Sequence, residues 1–254
     1  MDRVLRVEKV TKIYHEGDIE NKVVNEVSLD IEKNDFVIIM GVSGSGKTSL
    51  LHLLAGIDDF DSGTISYKNQ DFSRMKESER AVFRRKNIGI VFQQNCLIPD
   101  LTVYENLMLP LMLNKKKQEK QTTRERILSL CEQFDLKGHE RKYPSQLSGG
   151  QQQRTGILRA IMNKPELLLC DEPTGSLNSA QSQAVMDLLS KLNRSGQTIV
   201  LVTHDIKVAT RGNRIIYIED GRVASEMKFI APYEQKDLKQ REEELTSFLK
   251  SRGW

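Results

Sequence analysis

Eight consecutive residues, Gly41-Val42-Ser43-Gly44-Ser45-Gly46-Lys47-Thr48, fit the pattern G-x-x-x-x-G-K-[ST]. Glycines let backbone N–H groups converge on phosphate oxygens with no side chain between them. Lys47 adds a charge that reaches the β- and γ-phosphates of a nucleoside triphosphate, and the Thr48 hydroxyl suits Mg²⁺. Ser49 continues into a helix whose N-terminus contributes roughly half a positive charge. Far along the chain, four apolar residues end in Asp171-Glu172. Asp171 would hold Mg²⁺, directly or through water. Glu172 points differently and would polarise an attacking water, general-base help worth about 10²–10⁴ in rate. A second glycine-rich helix entry, Leu147-Ser148-Gly149-Gly150-Gln151, offers free N–H groups and the Ser148 hydroxyl to another anion.

These groups need rigid carriers. Phe36–Met40 is an apolar, β-rich run directly before the glycine loop, and Ser49–Ala55 after it is helix-forming, stopping near Gly56. Val4–Val10 alternates apolar and polar residues as a half-exposed strand does, and Val23–Ile31 is similar. Ile65–Tyr67 and Ile88–Phe92 are further strands. Leu167–Cys170, Thr198–Val202 and Ile215–Ile218 read as buried strands, with a helix over Ala180–Leu192. Gly221-Arg222-Val223 reads as a hairpin return. Strands alternating with helices indicate a largely parallel sheet covered on both faces. Between about Asn95 and Asn163 helical patterns dominate, at Leu101–Leu109 and Arg124–Phe134, which suggests an inserted helical subdomain. The charged tail places Leu238, Leu245, Phe248 and Leu249 on one helical stripe, to be docked on its own domain or offered to a partner.

Composition narrows the setting. The chain has 254 residues and a net charge of +3, which is too mild for a nucleic-acid-binding face. The clusters Arg84-Arg85-Lys86 and Lys115-Lys116-Lys117 are read as solvated surface. No apolar stretch reaches spanning length, Leu107–Leu113 being short and broken by Pro110. The N-terminus lacks the apolar run of a secretory signal. Cys96, Cys131 and Cys170 form no paired motif, so reduced thiols and an intracellular, soluble protein are expected.

The glycine loop, Leu147–Gln151, Leu167–Glu172 and Val202-Thr203-His204-Asp205 stand in an order that resembles the ATP-binding cassette (ABC) ATPases. The resemblance spans about residues 4–225. Gln151-Gln152-Gln153-Arg154, Asp171-Glu172-Pro173-Thr174-Gly175 and Ile88–Gln94 are similar to the macrolide-exporter, lipoprotein-release and FtsE-type group, and to Gram-positive antimicrobial-peptide exporters. The resemblance implies an α/β fold: a P-loop NTPase core with a parallel sheet, an antiparallel β subdomain and an inserted helical subdomain. It implies a cassette over residues 1–230, a helical subdomain over about 95–163 and a charged helical tail over 231–254.

The resemblance also assigns roles. Gln93 would sense Mg²⁺ and water, His204 would contact the γ-phosphate, and Tyr14 would stack on adenine. Ser148–Gln151 would close the ATP site of a second copy in a head-to-tail dimer holding two nucleotides. The cofactors implied are ATP and Mg²⁺. The partners are that second copy and an integral membrane permease subunit, with no nucleic acid, since two-cassette chains and long coiled-coil insertions are not seen. The chain would sit at the cytoplasmic face of the membrane, touching it only through the permease. It would drive export of antimicrobial peptides, macrolides or lipid-linked molecules, or else actuate a transmembrane signalling or cell-wall-regulating complex. Two residues depart from the pattern: Asn178 stands where relatives usually carry Asp, and Gly156 lies inside the signature helix, where close packing is the expected reason.

Overall fold

A computed structural model describes residues 2–17, 19–68, 70–113, 120–229, 233–252 and 254. The Lys115–Lys117 run lies outside the described residues. The first part of the chain forms β1 (Arg3–Glu16), β2 (Ile19–Glu32), β3 (Phe36–Met40), α1 (Lys47–Leu54), β4 (Ser62–Tyr67) and β5 (Gln70–Asp71). Then come α2 (Glu77–Asn87), β6 (Ile88–Val91), α3 (Val103–Met112), α4 (Lys120–Gln133) and α5 (Gly149–Ile161). The last part contains β7 (Leu167–Asp171), α6 (Ser179–Arg194), β8 (Thr198–Val202), α7 (Ile206–Ala209), β9 (Arg214–Glu219), β10 (Arg222–Lys228) and α8 (Leu238–Lys250).

Two sheets organise these elements. A six-stranded sheet runs in the order β10-β9-β3-β8-β7-β6. Its β9, β3, β8, β7 and β6 are parallel, and β10 returns antiparallel at the edge. A four-stranded antiparallel sheet has the order β2-β1-β4-β5. The central strands are apolar at nearly every position because both of their faces are covered. Phe36, Ile38 and Met40 point into one core with α3, α5, α6 and α8. Val37 and Ile39 point into the other, with α1 and the antiparallel sheet.

The parallel order brings the ends of β3, β7 and β8 side by side, which is where open α/β sheets bind ligands. The β1 and β2 strands run well past the alternating stretches, through register shifts around Val7–Ile13 where Lys9 takes a left-handed φ of 49°. The helix over Leu101–Leu109 starts later, because Thr102 and Glu105 form a capping box that sets Val103 as the first helical residue. The tail helix docks on its own domain: Leu245 and Leu249 are fully buried in the α-side core.

Candidate active site

The glycine loop joins β3 to α1 at the sheet edge. Gly46 has a left-handed φ of 94°, and a Cβ there would collide with the carbonyl oxygen of Val23 on β2. Gly44 also has a positive φ, 80°, but nothing lies within 4 Å of its would-be Cβ. One glycine therefore admits a neighbouring strand, and the other leaves the groove open. The Lys47 side chain folds back, its Nζ donating to the Val42 carbonyl at 2.7 Å. Burial lowers the pKa of this ammonium, while the carboxylates of Glu172 and Asp171 act in the opposite sense.

The carboxylates stand at the end of β7. Thr48 Oγ1 donates to Asp171 Oδ1 at 3.1 Å. Burial pushes the Asp171 carboxyl up from the usual carboxylate range, against the hydrogen bond from Thr48. Glu172 takes a left-handed φ of 41°, and its N–H donates to the Val202 carbonyl at 3.0 Å. Its Oε1 lies 3.1 Å from His204 Nδ1. Gly175 closes the following turn, and a Cβ there would press on Gln93 Nε2 at 2.8 Å and on Glu172 Oε2 at 3.3 Å. The amide of Gln93, the Glu172 carboxylate and the His204 ring thus converge from three elements. The groove in front of them has a volume of about 710 Å³ and is also lined by Asn21, Val23, Ser43 and Ser49.

Tyr14 stands at the rim, 40 % exposed. Its hydroxyl donates to Asp58 Oδ2 at 2.7 Å, and Lys12 Nζ lies 4.9 Å from the ring centroid. Asn21 is its cross-strand partner.

Ser148–Gln151 is built as expected but does not line that groove. Ser148 caps α5: its hydroxyl accepts from the Gln151 N–H, and Gln151 Oε1 accepts from the Ser148 N–H at 2.9 Å. Gly150 lets α5 lie against Gln181, whose Cγ would be 3.0 Å from a Cβ. Further along, α5 grips the segment after β6. Gln153 Nε2 donates to the Phe92 carbonyl at 3.2 Å, and Arg159 donates to the carbonyls of Asn95 and Cys96. Gly156 packs on Asn95, whose carbonyl oxygen would lie 3.3 Å from a Cβ. Close packing is therefore the reason for that glycine.

A profile of the ABC transporter family matches residues 24–175. An uncharacterized ABC transporter ATP-binding protein of Methanocaldococcus jannaschii, MJ1508, is 43% identical over 87% of this chain and 97% of its own. The chain belongs to the ABC transporter family. This ABC protein is an ATP-binding ATPase subunit with the P-loop NTPase fold of that family. The macrolide export ATP-binding/permease protein MacB of Campylobacter jejuni is 42% identical over 92% of the chain, which spans only 37% of that relative. Among solved structures, a dimer of the ATP-binding cassette MJ0796, bound to ADP and Pi after hydrolysis, superposes with a TM-score of 0.83. It is 40% identical and the match covers 89% of this chain and 99% of that one. The cbiO1 protein of Clostridium perfringens, part of the ABC transporter complex cbiONQ, gives 0.78 at 26% identity, over 90% of this chain and 89% of that one.

In this ABC cassette the sequence-predicted residues fall into three places. Ser43, Gly44, Gly46, Lys47, Thr48, Ser49, Glu172 and His204 line the groove, Asp171 joins it through Thr48 and Gln93 lies close to Glu172; Gly41, Val42 and Ser45 belong to the same loop without lining the groove, Tyr14 stands at its rim, and Ser148–Gln151 lies apart. Sequence reading missed Asn21 and Val23 from β2, which line the groove but belong to no local motif. It also left Asn178 unexplained. The Asn178 side chain caps α6 by accepting from the Gln181 N–H at 2.9 Å, work that needs an oxygen but no charge.

Proposed function

We propose that this chain is the ATP-hydrolysing subunit of a two-copy motor that drives a separate membrane permease. The observation that carries the reading is the division of the anion-binding parts. Lys47, Thr48, Glu172 and His204 line one groove, with Asp171 bound to Thr48, while the capped N-terminus of α5 lines no part of it. A second copy is needed to bring that helix end to the γ-phosphate. The dimeric cassette MJ0796 supports the arrangement.

The residues then take the following roles. Backbone N–H groups of Gly41–Ser49 and the Lys47 ammonium hold the phosphates. Tyr14 offers its exposed ring to adenine. Thr48 Oγ1 and Asp171 Oδ1, 3.1 Å apart, form an oxygen pair that fits a hard divalent cation, with the Gln93 amide close to Glu172. Bound there, Mg²⁺ would neutralise charge on the β- and γ-phosphate oxygens. Glu172 takes the proton of the water whose oxygen attacks the γ-phosphorus, and the bond to the β-phosphate oxygen breaks, leaving ADP and phosphate. His204 fixes the Glu172 carboxylate through Nδ1 and leaves Nε2 for the γ-phosphate. Ser148–Gln151 completes the partner's site.

The cassette comprises residues 1–230, with a helical subdomain over about 95–163 and the tail over 231–254. Among the described residues no helix is long and apolar enough to cross a membrane. The place proposed for the chain is the cytoplasmic membrane face, held there through the permease. Ile98, in the segment that follows Gln93, and Met112 and Leu113, at the end of α3, are exposed and suit apolar helices of that permease. The cargo is an exported peptide, macrolide or lipid-linked molecule, in keeping with the MacB relatives. Purification of the tagged chain from detergent-solubilised membranes tests this. A polytopic protein should accompany it and stimulate its ATPase rate. Recovery with soluble proteins alone, or with a single-span sensor that transports nothing, would contradict the transport reading.

A further inference from the structure

A second cavity lies at the other end of β3 from the glycine loop. It has a volume of about 350 Å³ and is lined by Phe36, Ser190, Arg194, Arg211, Phe229 and Tyr233 among others. Phe36 opens β3 and Met40 closes it, so the strand alone separates this cavity from the loop by about 13 Å at 3.3 Å per residue. Its walls come from the start of β3, α6, the segment after α7, Phe229 and Tyr233.

The lining is polar in an unusual way. Ser190 is 5 % exposed and its hydroxyl has no hydrogen-bond partner among the described residues. The buried Tyr233 hydroxyl has none either. Leaving such a group unpaired costs about 1–3 kcal/mol, so both hydroxyls call for an occupant. Arg211 is buried, tied through Nη1 to Asp187 at 2.8 Å, with its guanidinium 4.2 Å from the Tyr233 ring centroid. Arg194 has no ion-pair partner among the described residues. Among the described residues that line the cavity there is no carboxylate. Two guanidiniums face it, one of them partly neutralised by Asp187. Phe36, Phe229 and Tyr233 supply apolar surface, with one face of Phe229 covered by the Arg241 guanidinium and one face of Tyr233 by that of Arg211.

The geometry points to a second ligand site, for a small organic anion. Its carboxylate or phosphate would be taken by Arg194, Arg211 and the Ser190 and Tyr233 hydroxyls, and its flat body by the aromatic wall. The volume falls in the range of small-molecule pockets. Bound there, the anion would bridge α6, the segment that follows α7, and the tail.

The test is calorimetric titration of the full chain, saturated with ADP so that the glycine loop is filled, with phenylphosphonate as probe. Saturable binding with a dissociation constant of about 0.1–1 mM is expected. Benzyl alcohol, of similar size but neutral, should bind at least about tenfold more weakly, as should phenylphosphonate to Arg194→Ala and to Ser190→Val. Should Ser190→Val fail to fold, the exposed Arg194→Ala decides alone. No saturation by about 10 mM, as for a cavity that holds only water, overturns the proposal. Equal binding to wild type and variants, which would place the probe elsewhere, overturns it as well.

Discussion

Glu172 holds a left-handed φ of 41°, a conformation that costs a residue with a side chain about 1–3 kcal/mol. The surroundings enforce it. Its N–H is bound to Val202 and its carbonyl accepts from the Gly175 N–H at 3.0 Å. The result is a carboxylate turned towards His204 and Gln93 and away from the line of β7. Glu172→Gln keeps the size and an oxygen for His204 but loses the proton acceptor. Phosphate release should fall by about 10²–10⁴, while ATP affinity, followed by equilibrium titration, holds. A variant that hydrolyses at the wild-type rate would assign the proton to another base. Residues of this kind were readable because each motif is local: a loop, a strand end, a helix start. Asn21 and Val23 were not, since their place at the groove comes from β2 lying against Gly46, a contact that no local pattern encodes.

Helix α5 does two jobs along its length. Its first turn carries the Ser148–Gln151 capping box, the proposed anion site, and its middle holds the segment after Gln93 through Gln153, Gly156 and Arg159. Arg159→Ala frees the carbonyls of Asn95 and Cys96. It should lower the hydrolysis rate several-fold while nucleotide affinity stays, a split visible in kcat against KM. Helix α8 was legible as an apolar stripe, and Leu249, fully buried, belongs to the α-side core. Leu249→Ala should cost about 2–5 kcal/mol, seen as a lower thermal midpoint. The same stripe hid Arg241, a buried guanidinium that donates to the carbonyls of Thr210 and Gly212 just beyond α7. Helix α2 escaped sequence reading for a physical reason: none of its residues is fully buried, so it carries no apolar period. Its placement comes from polar side chains such as Arg84, which donates to the Gly56 carbonyl and pairs with Glu77.

At the scale of the whole molecule, the parallel sheet with its covered faces was legible because its strands are apolar throughout. The antiparallel sheet was legible only in part. Its β1–β4 pairing joins residues far apart in sequence, such as Val7 and Ile65. In the proposed function the chain carries two halves of a nucleotide site, the glycine-loop groove and the start of α5, which mutual closure of two copies would join. The ATP-loaded Glu172→Gln protein is the state in which that closure should persist, because bound ATP is not consumed. Sedimentation of this variant with and without ATP measures it directly. A doubling of mass with ATP, abolished by adding Ser148→Arg, is the predicted result. A single-copy species at saturating ATP, with or without Ser148→Arg, would contradict the account.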